Sequence, residues 1–289
     1  MEYILPKNYL SASSIKMLLR CPKQYEFRYI DIVIPPNAAL ITGSAMHKAL
    51  ETYYKEAMTS AQRFTPEQTA ELAVQSLEDI VEEQDSSVIS DAEITESVNS
   101  LKSIAKVYVD NIASHIEPLA VEEEVRYKSA CGVDILAYLD LRRKMNPEEN
   151  GLGQAEGICD YKITSRKWAI NQLRDSLQFN LYSLVTGLGD IEVHNMVKNT
   201  VPKRLNKKPE VYGVRDVASN MRILHHCFKG DGNRHMEELI ESCARLITSG
   251  IFPPCDPESW CCNPTWCGYW QWCRGRSDTC TPVTYVDMK

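Results

Sequence analysis

The stretch that decides the fold is V-D-I-L-A-Y-L-D-L-R-R-K (133–144) together with G-Q-A-E-G-I-C-D-Y-K-I-T (153–164). Both runs alternate with period two, the pattern of half-buried strands. Ile135, Ala137, Leu139 and Leu141 share one face and predict core, so Asp140 points to the other. In the second run Gly157, Cys159, Tyr161 and Ile163 share a face, while Ile158, Asp160 and Lys162 share its opposite. With Asn146 to Gly151 as the turn, pairing of the two strands brings Asp140, Asp160 and Lys162 together on one side of a sheet. Two carboxylates held close repel unless a cation lies between them, which is the outline of a hard-metal site. A lysine beside them can orient an attacking water or offset charge growing on a phosphoryl group. The same triplet also fits a surface Asp–Lys ion pair on a solvated strand.

Upstream, L-A-V-E-E-E-V-R-Y-K-S (119–129) reads as a preceding strand, with Glu122, Glu123 and Glu124 as strand-edge charges. Residues 11–29 predict a helix opened by capping serines. A second helix is expected from near Ser44, after Pro35-Pro36, with His47 one turn inside and Glu51 one turn further on the same face. A lone helical histidine fits a structural role as well as a ligand. Residues 65–116 read as two or three polar, acidic helices forming an insertion or lid. Downstream, Ile170, Leu173, Leu177, Leu181, Leu184 and Leu188 predict one amphipathic helix. Its polar stripe of Arg174, Gln178 and Tyr182 fits a phosphate contact, a support for the lysine, or an ordinary solvated face. Strands are expected around 190–201 and 209–217, then a helix through 235–249.

The chain has 289 residues, 44% apolar and 25% charged, which excludes global disorder and fibrous repeats. It has no run long enough to span a bilayer and no signal-peptide pattern at its start, so an intracellular protein is expected. Its eleven cysteines then read as thiols or metal ligands rather than disulfides. The net charge of −7 is uneven. Residues 65–124 hold fifteen acidic side chains against Lys102 and Lys106, which leaves the rest of the chain at +6. Such a body is compatible with nucleic acid through a local patch. The patch expected is K-N-T-V-P-K-R-L-N-K-K-P (198–209), whose Lys203, Arg204, Lys207 and Lys208 fit phosphate contacts or a solvated loop.

The tail C-D-P-E-S-W-C-C-N-P-T-W-C-G-Y-W-Q-W-C (255–273) holds five cysteines in 19 residues, with no Cys-x-x-Cys knuckle. Cys262, Cys267 and Cys273 form C-x4-C-x5-C, and Cys21, ahead of Pro22, is the candidate for a fourth thiolate. Cys255, Cys261 and Cys280 stay open as substitutes. Cys131, Cys159, Cys227 and Cys243 read as buried small hydrophobes.

Five blocks in order, S-A-S-S-I-K-M-L-L-R-C-P-K-Q-Y-E-F (11–27), T-G-S-A-M-H-K-A-L-E (42–51), the Asp140 strand, D-Y-K-I-T (160–164) and Q-F-N-L-Y (178–182), resemble the PD-(D/E)XK nuclease superfamily. The resemblance is to its RecB-like branch, with CRISPR-associated exonucleases and phage relatives. Asp160 stands where many members have Glu, and the superfamily accepts either. The resemblance implies an α/β fold: a mixed central sheet flanked by helices, with a helical insertion and a cysteine-rich, metal-stapled terminal subdomain. The segments implied are 1–64, 65–118, a nuclease core over 119–249 and a tail over 250–289. It implies that His47, Asp140 and Asp160 bind Mg2+ or Mn2+ with the Tyr161 carbonyl, that Lys162 positions the hydrolytic water, and that Gln178 and Tyr182 support the site or touch DNA. It further implies a [4Fe-4S] cluster on Cys21, Cys262, Cys267 and Cys273, shielded by Trp260, Trp266, Trp270 and Trp272, with zinc as the alternative.

The function expected is a metal-dependent DNA nuclease, an exonuclease on single strands or duplex ends in recombination or repair. A non-catalytic iron–sulfur DNA-binding module and a structure-specific endonuclease are the alternatives. A helicase or recombination partner and a cytoplasmic location, in a bacterium or a phage-infected host, complete the expectation; no membrane partner is expected.

Overall fold

The computed structural model describes residues 3–31, 38–60, 62–83, 89–146, 152–198 and 212–273. In chain order the elements are α1 (Ala12–Arg20), α2 (Pro22–Glu26), α3 (Ala38–Thr59), α4 (Pro66–Glu82), α5 (Asp91–Asn111), β1 (Pro118–Lys128), β2 (Asp134–Lys144) and β3 (Glu156–Thr164). Then follow α6 (Ile170–Arg174), α7 (Leu177–Thr186), β4 (Asp190–Val197), β5 (Val214–Ala218), β6 (Met221–Cys227), α8 (Asn233–Thr248) and α9 (Trp270–Cys273). They gather into two compact units, one of residues 1–34, 129–134 and 238–289, the other of 35–128 and 135–237.

The larger unit holds a six-stranded sheet in the order β1-β2-β3-β4-β6-β5. β2 and β3 pair antiparallel, β3 and β4 parallel, and β6 runs antiparallel to both β4 and β5. The parallel pair needs a crossover, which α6 and α7 provide. These helices cover one face, where Leu173, Phe179 and Tyr182 pack on Ala137, Leu139, Ile158, Ile191 and Val193. The other face packs Leu141, Cys159, Tyr161 and Met196 against Tyr54, Leu77, Leu101, Ile104 and Tyr108 of α3, α4 and α5. The acidic helices expected as an insertion or lid share one buried apolar cluster with α3 and with Leu141, Cys159 and Tyr161 of the sheet. Their acids lie outward and their apolar stripes inward. Both start on capping boxes: Thr65 with Gln68, backed by Pro66, for α4, and Ser90 with Glu93 for α5.

The elements differ from the sequence expectation in four places. The helix expected over 11–29 ends at Arg20 and restarts at Pro22, with extended Cys21 capping both pieces; proline lacks the N–H that would continue the first helix. α3 starts at Ala38, ahead of Ser44. The helix expected over 170–188 breaks at Asp175 and Ser176, so Arg174 leaves the stripe shared by Gln178 and Tyr182. Finally, M-R-I-L-H-H-C forms β6, a strand the pattern reading did not separate, inserted between β4 and β5.

Truncating Leu101, fully buried under α3 and α4, to Ala should cost about 2–5 kcal/mol of stability. A denaturant midpoint equal to that of the wild type would show that these helices are peripheral after all.

Candidate active site

The β2–β3 ladder runs from Lys144–Glu156 to Leu141–Cys159. Beyond it, the Tyr161 N–H donates to Asp140 Oδ2 at 2.7 Å. The Asp140 side chain thus takes the place of a ladder carbonyl and is drawn onto β3. α3 brings His47 to the same point. Its Nε2 lies 3.1 Å from the Tyr161 carbonyl oxygen, and its Nδ1 lies 3.3 Å from Asp140 Oδ1. Burial lowers the His47 pKa, but the Asp140 carboxylate outweighs it and the net direction is up. For Asp140, burial pushes upward and the imidazole beside it prevails, holding it below the ordinary range.

Asp160, almost fully buried, is fixed from α7. Gln178 Nε2 donates to Asp160 Oδ1 at 2.9 Å and to the Tyr182 hydroxyl at 2.8 Å. Tyr182 in turn donates to the Tyr138 carbonyl at 2.7 Å. Lys162 Nζ lies 2.5 Å from Asp160 Oδ2, over the Phe179 ring. The ammonium is the nearest compensation of Oδ2, with the His47 imidazole adding to it at longer range. Burial pushes Asp160 up to about 6 despite the lysine. Asp140, Asp160, His47 and the Tyr161 carbonyl form a donor set of oxygens with one imidazole, suited to a hard divalent cation. Burial still leaves the Asp160 carboxyl raised beside that lysine, so such a cation would add compensation there.

The sequence reading set Glu122 aside, yet its carboxyl gathers with His47 and Asp140, ligand atoms within 4.8 Å of one another. Its φ of +49° is in the left-handed region, rare outside glycine, and turns it off the strand alternation. Glu123 pairs with Arg142 at 2.9 Å and Glu124 with Arg126 at 2.7 Å, so Glu122 alone of the three faces the site. Burial, then the Asp140 charge, raises it to about 7. Period-two patterning has no signal for this residue, because the backbone breaks the period there. Glu51 is held by Lys48 and Lys55 on its own helix. Asn195 was also missed: it donates to the Lys162 carbonyl and Thr164 Oγ1 and accepts from the Trp168 N–H, fixing the loop after β3.

Other expected residues lie apart. Arg174 pairs with Asp175 at 2.7 Å on the exposed side of α6. Lys203, Arg204, Lys207 and Lys208 fall outside the described residues, as does Cys280. In the smaller unit Cys21, Cys262, Cys267 and Cys273 line one pocket, and Cys255 and Cys261 line it too. The Cys255 N–H points at Cys21 Sγ at 3.4 Å, and the sulfurs of Cys255 and Cys261 are 4.0 Å apart. Burial and these two thiols push the Cys255 pKa up. Of the expected tryptophan shield, Trp270 lines the pocket, with Phe27 and Tyr269. Trp260 and Trp266 stand exposed, edge-on to each other at 6.2 Å. Cys159 and Cys243 are buried as expected, whereas Cys131 and Cys227 are half-buried.

Residues 9–274 match the PD-(D/E)XK nuclease superfamily, and the chain belongs to that superfamily. The fold above is consistent with it, and its members hydrolyse phosphodiester bonds with divalent metal. No curated protein matches the chain. Among solved structures, the crystal structure of SSO0001 aligns over 94% of this chain and 89% of that one, at 12% identity and a TM-score of 0.41. Among the described residues no helix is long and apolar enough to cross a membrane.

The raised acids set a pH signature. Glu122 and Asp160 hold their protons more tightly folded than unfolded, so folding takes up protons between about pH 4 and 7. Without divalent metal, their contribution to stability is present below about pH 4 and is lost progressively as the pH rises to about 7. A bound cation must displace those protons, so calorimetric metal affinity should climb from pH 5 to 8, and Glu122→Gln should flatten the upper half of that climb. A pH-independent affinity would remove both acids from the site.

Proposed function

We propose that this member of the PD-(D/E)XK superfamily is a Mg2+- or Mn2+-dependent deoxyribonuclease, an exonuclease on single strands or duplex ends that serves recombination or repair. The observation that carries the reading is the convergence of His47, Asp140, Asp160 and the Tyr161 carbonyl beside Lys162. A bound divalent cation would polarise the scissile phosphodiester and offset charge on its oxygens. His47, Asp140, Asp160 and the Tyr161 carbonyl would hold it, with Glu122 as an added carboxyl. Lys162 orients the attacking water through an Nζ–H and lends positive charge to the phosphoryl group. Gln178 and Tyr182 keep the Asp160 carboxyl from rotating away, since one amide bonds both. Arg174 and the 203–208 basic stretch are the proposed contacts to phosphates further along the strand, and a helicase or recombination protein is the proposed partner.

We further propose that the pocket of the smaller unit holds a [4Fe-4S] cluster on Cys21, Cys262, Cys267 and Cys273. Support comes from six thiols on one pocket with aromatic walls. Such a cluster would tie residue 21 to residues beyond 260, a loop closure whose entropy is on the order of 4–5 kcal/mol by analogy with a disulfide.

Linear, circular, single- and double-stranded DNA, each digested with and without Mn2+, test the function. Cleavage of circular substrates would move the reading to an endonuclease. Asp160→Ala and Lys162→Ala should each lower cleavage about 10^3-fold or more without unfolding the chain. Normal cleavage by either would overturn the site. For the cluster, anaerobically purified Cys21→Ala should lose colour, iron and sulfide together; stoichiometric zinc with no iron in the wild type would replace the cluster with a zinc site.

A further inference from the structure

β4 and β6 carry a second group of metal-ligand side chains that the nuclease reading does not use. Asp190 opens β4 and lies directly opposite Cys227, which ends β6; His225 sits two residues earlier on the same face. Asp190 is three residues from Val193, the register partner of Asp160, so its side chain points to the opposite face of the sheet. Asp190 is fully buried. Its Oδ1 is 3.0 Å from His225 Nε2 and 3.0 Å from Cys227 Sγ, and those two atoms are 3.8 Å apart. Its Oδ2 is buried and has no hydrogen-bond partner.

We propose that Asp190, His225 and Cys227 form a three-ligand site for a zinc-class cation that ties β4 to β6. A buried carboxylate with both donors on one oxygen and none on the other is poorly compensated, and a cation bound to it removes that cost. The order of contacts excludes a cysteine nucleophile relay, because Asp190, not His225, stands at the centre and both donors point at it. One imidazole nitrogen, one sulfur and one carboxylate oxygen make the donor set of a tetrahedral zinc site with an open fourth position. Bond lengths of about 2.0–2.3 Å imply tetrahedral edges of about 3.3–3.8 Å, so the observed separations need adjust by only tenths of an ångström. Binding releases the Cys227 thiol proton and places the neutral imidazole's proton on Nδ1, so aspartate, thiolate and a divalent cation sum to zero charge. The His225 side chain is 23% exposed, which leaves a solvent path to the fourth position. The thiolate disfavours Mg2+ and separates this site chemically from the nuclease centre.

The register that makes the site is enforced by Gly189. Its carbonyl accepts the Phe228 N–H at 2.8 Å, and a Cβ there would come within 2.2 Å of the Phe228 oxygen. Only glycine permits the approach that sets Asp190 opposite Cys227. A neighbouring trio, Cys159, Glu192 and His194, fails the same test. Both His194 nitrogens are engaged, Nδ1 by the Tyr108 hydroxyl at 2.8 Å and Nε2 by Cys159 at 3.1 Å and Glu192 at 3.3 Å, and Arg143 already neutralises Glu192 at 3.2 Å.

Crystals of the full chain soaked in zinc chloride, with anomalous data above and below the zinc edge, locate the ion directly. The expected result is a peak within bonding distance of Asp190, His225 Nε2 and Cys227 Sγ, retained in Asp160→Ala, which separates this site from the nuclease reading. Zinc found only in the cysteine pocket or at His47 and Asp140 overturns it. In solution, cobalt titration of Cys227→Ser should lose one thiolate-to-metal charge-transfer band and one bound metal per chain relative to the wild type. Identical titrations in a variant that circular dichroism shows to be folded overturn the proposal; if the variant does not fold, the anomalous map of the wild type decides.

Discussion

The candidate site depends on where one backbone ladder stops. A regular antiparallel pair would offer the Tyr161 N–H a carbonyl of β2. Instead pairing ends at Leu141–Cys159 and the Asp140 carboxylate accepts that N–H. The side-chain phase of β2 changes at the same residue. Ala137 and Leu139 join the cluster under α6 and α7, while Leu141 joins the cluster under α3, α4 and α5. Asp140 therefore emerges between the two layers, where His47 from one layer and Gln178 from the other can both reach the residues around it. A ladder two residues longer would leave no opening there.

Electrostatics then divides the acids. Asp140 accepts a backbone N–H and sits against an imidazole, so its charged form is favoured. Asp160 is buried more completely and stays raised despite Lys162, and Glu122 is raised by burial and by Asp140 itself. Three carboxyls against one lysine and one histidine cannot all ionise cheaply in a partly dry site. The arrangement that makes them reluctant acids also makes them responsive to a divalent cation, because a cation relieves both their burial and their mutual repulsion.

Much of this was legible in the chain. Pairing 133–144 with 153–164 sets Asp140 beside Asp160, but the expected common face of Ala137, Leu139 and Leu141 fails, since the first two lie under α6 and α7 and Leu141 under α3, α4 and α5. Gln178 to Tyr182 is one helical turn regardless of where the helix begins. What escaped reading has identifiable causes. Glu122 was hidden because its positive φ breaks the alternation used to find it. β6 was hidden because His225, His226 and Cys227 look polar, although two of them face Asp190 rather than water. The break at Asp175 lies inside an unbroken leucine pattern, so periodicity continued through it and carried Arg174 onto a face it does not share. The charge count over 65–124 gave no sign that these helices bury apolar sides against α3, because it ignores which side of a helix the charges occupy.

The buried sides of these helices also hold the site in place. His47 is carried by α3, and α3 is fixed by α4 and α5 through Tyr54, Leu77, Leu101 and Tyr108. Tyr108 also links its hydroxyl to Tyr54 at 3.0 Å and to His194 of β4 at 2.8 Å. β4 is in turn the parallel neighbour of β3, pairing Val193 with Asp160 and Asn195 with Lys162. The acidic layer therefore grips both the helix that presents the histidine and the strand that sets the height of Asp160 and Lys162. A metal site built from three separate elements needs ligand positions defined to a fraction of an ångström. The buried tyrosine contacts supply a continuous packed route between those elements, and a solvated lid would not.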